Sequence, residues 1–286
     1  MEAAAAFTTV SLKNWQEFKD YVQNFSENWA FRGQADSRWM LSNAIERTDF
    51  IHFNEGIEQE FLSEFQRGSR NYLSKDELPQ HLIEWLALMQ HHGAPTRLLD
   101  LTKSPFIAAY FAFEVCAVAD SSNVGIWCLN IAHLKKRSLE VLSKDFSEAL
   151  NQSKNLINED LFEKVFFNNN RSLVFPVEPF RMNRRYSLQQ SIFVSTGISF
   201  KPLMEQLEFL GKDAAKAVVK IELPTTNKKE VLRQLQQMNL HRASLFPDLD
   251  GYALSLRLRY NSMKTPEEMK KEQEEKAKNN NYPFFP

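Results

Sequence analysis

The chain reads as an α+β protein, a central mixed or split β-sheet flanked by helices, and three observations lead there. Short apolar runs at Asn123 to Ile131, Ser191 to Thr196 and Ala217 to Leu223 have the length and composition of strands. Between them lie segments whose apolar residues recur at helical spacing. No internal repeat is visible, and the mixture of strands and helices places the chain in the α+β class. At 286 residues, 43% hydrophobic and 12% aromatic with 23 phenylalanines, it can bury a full, aromatic-rich core as one large domain or two small ones.

From the N-terminus, Leu12, Trp15, Phe18 and Val22 set a helical rhythm over Ser11 to Phe25, with Ser11 as its N-cap. Trp29 to Gln34 is a short strand. Ile57, Phe61, Leu62 and Phe65 mark a helix within Gly56 to Leu73, and Leu82, Ile83, Trp85, Leu86 and Met89 mark another from about Pro79. Gly93, lacking a Cβ, suits the C-terminal cap of that helix. A loop through Pro95-Thr96-Arg97 follows. Ser104 as N-cap and Pro105 in the first turn then open a helix through Ala108, Ala109, Phe111 and Ala112, whose small residues allow close packing on a sheet.

Asn123 to Ile131 is apolar enough to be a central strand. The polar stretch from Leu134 to Phe167 reads as one or two surface helices, and Pro176 sends the strand Leu173 to Val177 to an edge or a bulge. Beyond the strands near 191 and 217, Lys228 to Met238 reads as a helix and Asp248 to Tyr260 as the last helix of the core, with Asp248 near its start. Lys264 to Lys278 holds five Lys and five Glu, a solvated helix or a disordered tail, after which Phe284-Phe285 could dock on a neighbour.

Charge narrows the function classes. Thirty-five Lys and Arg nearly balance 36 Asp and Glu, so no global field draws the protein to nucleic acid or an acidic membrane, and any nucleic-acid contact must be local. Cys116 and Cys128 lie in apolar runs without metal-ligand spacing, as buried thiols of a reducing compartment do, and no metal is expected. The first residues lack the charge and apolar core of a signal peptide and no stretch reaches the length of a membrane span, so a cytoplasmic protein without a membrane partner is expected.

Two stretches concentrate chemistry. His91-His92-Gly93-Ala94-Pro95-Thr96-Arg97-Leu98-Leu99-Asp100 packs ionisable groups and backbone breakers where a connector would need only polar filler. In Trp29-Ala30-Phe31-Arg32-Gly33-Gln34 the arginine is flanked by apolar residues, so its buried guanidinium needs a carboxylate such as Asp100, a carbonyl or a bound anion. Gly33 admits a ligand or another backbone. Farther on, Arg171, Arg181, Arg184, Arg185 and Lys201 stand against Glu178 alone, as an anion site or a solvated basic face.

Together these stretches resemble the FRG domain family, named for the Phe-Arg-Gly found here at Phe31-Arg32-Gly33. Its second signature resembles the segment from His91 to Ala112, with His92 standing for a tyrosine and Leu101 for a tryptophan. A third block resembles Arg184-Arg185-Tyr186-Ser187-Leu188-Gln189-Gln190-Ser191-Ile192-Phe193, with Ser191 where a glycine is usual. A fourth resembles Leu245 to Gly251. On this resemblance, residues 1–262 form one FRG domain and 263–286 a polar tail.

The order of these parts also resembles the layout of ADP-ribosyltransferases, which implies a fold of that kind and NAD as substrate. The resemblance gives Arg32 the role of holding ribose or phosphates, places Thr96 or Ser104 along the NAD groove and puts Gln190 in the third position, near the scissile bond. Breaking a nicotinamide–ribose bond develops positive charge on the sugar, so a site needs an acceptor near that carbon and cations around the pyrophosphate. Arg32, Arg97, Arg184 and Arg185 can supply the cations, since guanidinium donates in a planar fork.

Tyr110, Phe111 or Tyr186 could stack on a base. Because glutamine is no base, a nearby acid, Asp100, Asp248 or Asp250, is the alternative acceptor, although Asp100 could equally lock Arg32 or Arg97. His91 is either a helix-end cap or a general acid/base. The implied function is an NAD-dependent ADP-ribosyltransferase or NAD-cleaving enzyme, a toxin or defence effector with a macromolecular acceptor. The alternative is a non-enzymatic nucleotide-sensing or protein-interaction module. A nuclease or RNA-modifying enzyme has the local basic patch in its favour and the neutral net charge against it.

Overall fold

The computed structural model describes residues 7–48, 56–152, 158–179, 183–263, 270, 271 and 274. Thr8–Ser11, Trp29–Gln34, Leu98–Thr102, Asn123–Asn130, Val174–Val177, Ser191–Thr196 and Val218–Pro224 are strands β1 to β7. They form one seven-stranded sheet in the order β1-β7-β4-β2-β3-β6-β5. Only β1 and β7 run parallel, so the sheet is mixed and continuous rather than split. The apolar strand β4 is interior, and β5, with Pro176, takes an edge where a missing N–H does no harm.

The helices are α1 (Trp15–Val22), α2 (Ile57–Ser69), α3 (Leu82–His91), α4 (Pro105–Val115), α5 (Ile131–Leu142), α6 (Ser147–Gln152) and α7 (Glu159–Asn168). They continue with α8 (Arg184–Leu188), α9 (Leu203–Gln206), α10 (Ala214–Ala217), α11 (Lys228–Gln237), α12 (Arg242–Leu245) and α13 (Leu249–Met263). Alternation along the strands divides the interior. Ala30, Leu99, Leu101, Trp127, Ile192 and Val194 turn to one face and meet Leu203 of α9 and Ala214 of α10.

The opposite face carries two separate helical layers. Phe31, Ile126 and Ile221 pack with α1, α4 and α11. Leu98, Phe175 and Phe193 pack with α2, α3 and α7. The seam between these layers passes β2 and β3, which share a single bridge, Phe31 with Thr102. Beyond that bridge the two strands part.

Local signals hold at several ends. Ser104 accepts from the Ile107 N–H at 3.3 Å with Pro105 in the first turn, and Gly93 sits after α3 at φ 85, in the left-handed region that favours glycine. Others need correcting. Ser11 closes β1, a strand the sequence did not suggest, and the cap of α1 is Asn14, whose carboxamide oxygen accepts from the Glu17 N–H at 2.9 Å. The run after Arg97 forms strand β3, Leu98–Thr102, an element the sequence did not suggest. The stretch 134–167 yields three helices instead of one or two surface ones, and α7 buries Leu161, Phe162, Val165 and Phe166, a stripe at helical spacing hidden by polar neighbours.

The tail and Phe284-Phe285 lie outside the described residues, apart from the exposed Lys270, Lys271 and Glu274. Among the described residues no helix is long and apolar enough to cross a membrane. Cys116 and Cys128 are buried, unlinked thiols, and burial raises the pKa of both.

Candidate functional site

Where β2 and β3 part, a cavity of about 280 Å³ opens, lined by Phe31, Arg32 and Gly33 from one strand and by Asp100, Leu101 and Thr102 from the other. Arg32 bridges the gap. Its Nη1 donates to the main-chain carbonyl of Asp100 at 2.8 Å, while its Nε, shut from solvent, has no hydrogen-bond partner. Burial holds its pKa below the usual guanidinium range; Asp100 opposes that shift and Arg47 adds to it. The expected lock between Arg32 and Asp100 is therefore made to the backbone, and among the described residues no hydrogen bond or ion pair reaches the Asp100 carboxylate.

The third block of the sequence meets this cavity through Arg185, Gln189 and Ser191, and the fourth through Phe246. The Arg185 guanidinium carbon lies 4.5 Å from the Phe246 ring centre, and its Nε too is buried without a partner. Arg242 stacks on Phe246 at 4.2 Å, so that ring is held between two guanidinium groups. Phe246 also meets Phe111 edge-on at 6.0 Å. Gln189 fixes the wall: its Nε2 donates to the Leu245 carbonyl at 3.0 Å and its own carbonyl accepts from Thr102 Oγ1 at 2.7 Å. Its neighbour Gln190, the residue assigned the third position, is exposed in the preceding turn at φ 49 and stands outside the cavity wall.

Gly33 serves a close approach of backbone. A Cβ there would lie 1.9 Å from the Ala108 carbonyl oxygen, so glycine is what allows α4 to lie on β2. Arg97 is not at the cavity. Its Nε pairs with Glu58 at 2.6 Å, the Arg97 backbone N–H donates to the other Glu58 oxygen at 2.8 Å, and Phe166 covers the guanidinium at 4.0 Å. Both partners are buried, so Arg97 joins α2 to β3 as a structural pair. Thr96 is equally committed, donating to Gln90 Oε1 at 2.7 Å and accepting from the Leu98 N–H at 3.2 Å. Ser104 caps α4 and does not line the cavity.

His91 lies behind this wall, its ring edge-on to Tyr186 at 5.9 Å and its Nδ1 buried without a partner. Burial, with Arg185 adding repulsion, lowers its pKa, which favours the neutral ring over a charged helix cap. Tyr186 is buried with its hydroxyl donating to the Ala87 carbonyl at 2.6 Å, and Tyr110 donates to Glu114 at 2.8 Å, so of the three proposed stacking rings only Phe111 borders the cavity.

The basic run disperses. Arg171 pairs with Asp145, Lys201 donates to Ser172 at 3.0 Å, Arg184 is exposed and Arg181 lies outside the described residues, leaving Arg185 as its contribution to the cavity. Among the described residues no group of three or more His, Cys, Asp or Glu is placed to hold a metal ion.

On the far side of Arg32 a second compartment of about 680 Å³ shares Arg32, Gly33 and Phe111 with the first. Its wall is the irregular segment after β2, with Arg38, Trp39, Met40, Ser42 and Arg47. That segment has no apolar periodicity and hence carried no signal. Gln189 and Phe246 sat within quoted blocks, and Glu58 is marked only by a carboxylate inside an amphipathic helix.

No curated protein and no solved structure matches the chain. A family model does match, across the segment that supplies β2, β3, α4 and the wall of both compartments up to Val115, while the third and fourth blocks lie beyond it. Residues 27–121, which hold Arg32 and Asp100, match the FRG domain model.

Proposed function

We propose that the Arg32–Asp100–Arg185 cleft binds NAD and cleaves its nicotinamide–ribose bond, passing ADP-ribose to a macromolecular acceptor or to water. One observation carries this reading. Two guanidinium groups, each with a buried Nε, and one carboxylate, none of these with a polar partner among the described residues, border a single cavity at the parting of β2 and β3. A folded protein leaves buried donors unpaired at a cost, and a phosphate would satisfy both arginines.

In the reaction, nicotinamide leaves with the electron pair of its bond to the ribose carbon, becoming neutral, and the positive charge passes to the sugar. Asp100 stabilises that charge and takes the proton released when water or an acceptor hydroxyl adds to the carbon. Gln189, tied to the Leu245 carbonyl, orients the wall and moves no proton. Mass spectrometry of the protein with NAD and a cellular lysate tests the reading. Nicotinamide release is expected, reduced about 100-fold in Asp100→Asn by loss of transition-state stabilisation, and absence of release with every lysate overturns it.

A second reading has its own support, because the glutamine at the cavity is a fixed structural residue and Asp100 is the single carboxylate in the wall. In that reading the cleft is a nucleotide sensor without turnover. A rise in Tm with NAD that is lost in Arg32→Gln, with no nicotinamide released, is its signature.

A further inference from the structure

The compartment beyond Arg32 differs in chemistry from the first. Among the described residues its wall holds three arginines, Arg32, Arg38 and Arg47, and no carboxylate. Arg38 is already neutralised by Asp36, with Nε at 2.9 Å from Oδ1 and Nη2 at 2.5 Å from Oδ2. Arg47 makes no ion pair among the described residues: its Nη1 donates to the Ser42 carbonyl at 2.6 Å, and the neighbouring Glu46 carboxyl, which feels its charge, has its pKa pushed by burial up to about 7. Arg47 and Arg32 line the same compartment, and Arg47 adds a small repulsion to the burial that lowers the pKa of Arg32, so an anion between them would be favoured by both.

Two adjacent apolar side chains complete the wall, Trp39 at 54% exposure and Met40 at 47%. Phe111 stands where both compartments meet. A site with an oriented guanidinium that makes no ion pair among the described residues, beside an exposed indole, fits a phosphorylated molecule that also carries an aromatic ring, the phosphate on Arg47 and the ring on Trp39.

We infer that the larger compartment is a separate subsite for a purine nucleoside diphosphate, with Trp39 stacking the base and Arg47 and Arg32 holding the phosphates, so that the cleft recognises a dinucleotide by its two unlike halves. This assignment rests on the proposed reading of the smaller cavity for the direction in which NAD lies, the nicotinamide half toward Asp100 and Arg185. The volumes agree in rank, since the bulkier adenylate half takes about 680 Å³ and the smaller half about 280 Å³.

Calorimetric titration of the full chain with ADP and, separately, with nicotinamide mononucleotide tests the assignment. Trp39→Ala and Arg47→Gln should each weaken ADP about tenfold or more and leave nicotinamide mononucleotide within twofold, whereas Arg185→Gln should do the reverse. Trp39 and Arg47 are exposed at the surface, so these variants are expected to fold, and an unchanged melting curve without ligand checks it. ADP affinity unchanged in both variants, or equal weakening of both ligands, overturns the subsite. The two readings fail separately. ADP binding that depends on Trp39 without any nicotinamide release removes the enzyme and keeps the subsite, while release of nicotinamide with ADP binding indifferent to Trp39 and Arg47 does the opposite.

Discussion

Arg32 and Arg97 show how one residue type acquires two meanings in the same fold. Arg97 meets Glu58 through both its Nε and its backbone N–H and lies under Phe166, so its charge is consumed in holding α2 to β3. Arg97→Ala should destabilise by roughly 3–5 kcal/mol in urea denaturation, because it strands a buried carboxylate. Arg32 satisfies one nitrogen on a carbonyl and leaves another unpaired.

Glu46 offers a test by pH. Burial raises its pKa to about 7, although its Oε1 accepts from the Leu203 N–H at 2.8 Å. A carboxyl whose folded pKa is raised favours the fold while protonated. Its contribution is complete below the ordinary value of 4.5 and is lost as pH rises to about 7. Glu46→Gln keeps the acceptor and removes the titration. The stability of the variant relative to wild type should therefore grow across that window, by roughly 1–3 kcal/mol after allowance for solvent screening, in thermal melts from pH 4 to 8. A difference that stays flat would place Glu46 in water.

At the scale of elements, the contact of α4 with β2 is the most exacting. Gly33→Ala would drive a methyl group into the Ala108 carbonyl, and the two elements must separate. A loss of roughly 1–3 kcal/mol or failure to fold is expected, read by circular dichroism and denaturant midpoint. A wild-type midpoint would mean that the layer slides freely.

Most elements of this kind were legible, because they rest on local signals: Ser104 and Pro105 opening α4, Gly93 closing α3, the apolar run of β4, Pro176 at the edge. The misses have physical causes. β1 is four residues long with mostly exposed side chains and exists by pairing with β7, a contact more than 200 positions away that no local pattern records. β3 was masked by the charged and hydroxyl residues that gave its segment chemical interest. In α7 the apolar stripe was diluted by Glu, Lys and Asn on its solvent side.

The same division applies to the candidate site. Arg32, Asp100 and Arg185 were readable as residues needing partners, and the structure brings all three to one cavity. Which of the two adjacent glutamines faces inward depends on the turn at Gln190, with its left-handed φ, and that turn forms only against β3, where the Lys103 N–H donates to the Gln190 carbonyl at 2.9 Å. Trp39 and Arg47 gave no signal because an irregular segment has no period to read.

Over the whole molecule, the sheet carries one continuous core on one face and two separate helical layers on the other, and the cleft sits where those layers fail to meet. Arginines reach it from β2 and α8, the carboxylate from β3 and the covering ring from the segment after α12, so four parts of the chain must be in place before it exists. A ligand spanning them should stabilise the fold as a unit, by about 2.7 kcal/mol at a concentration 100 times its Kd.

The measurement that bears most directly on the central claim is a crystal structure of the full chain grown with ADP-ribose. The diphosphate is expected against Arg32, the ribose toward Asp100 and Arg185, and the adenine on Trp39. An empty cleft at saturating ligand, or ligand bound elsewhere with Arg32 still facing only the Asp100 carbonyl, would contradict it.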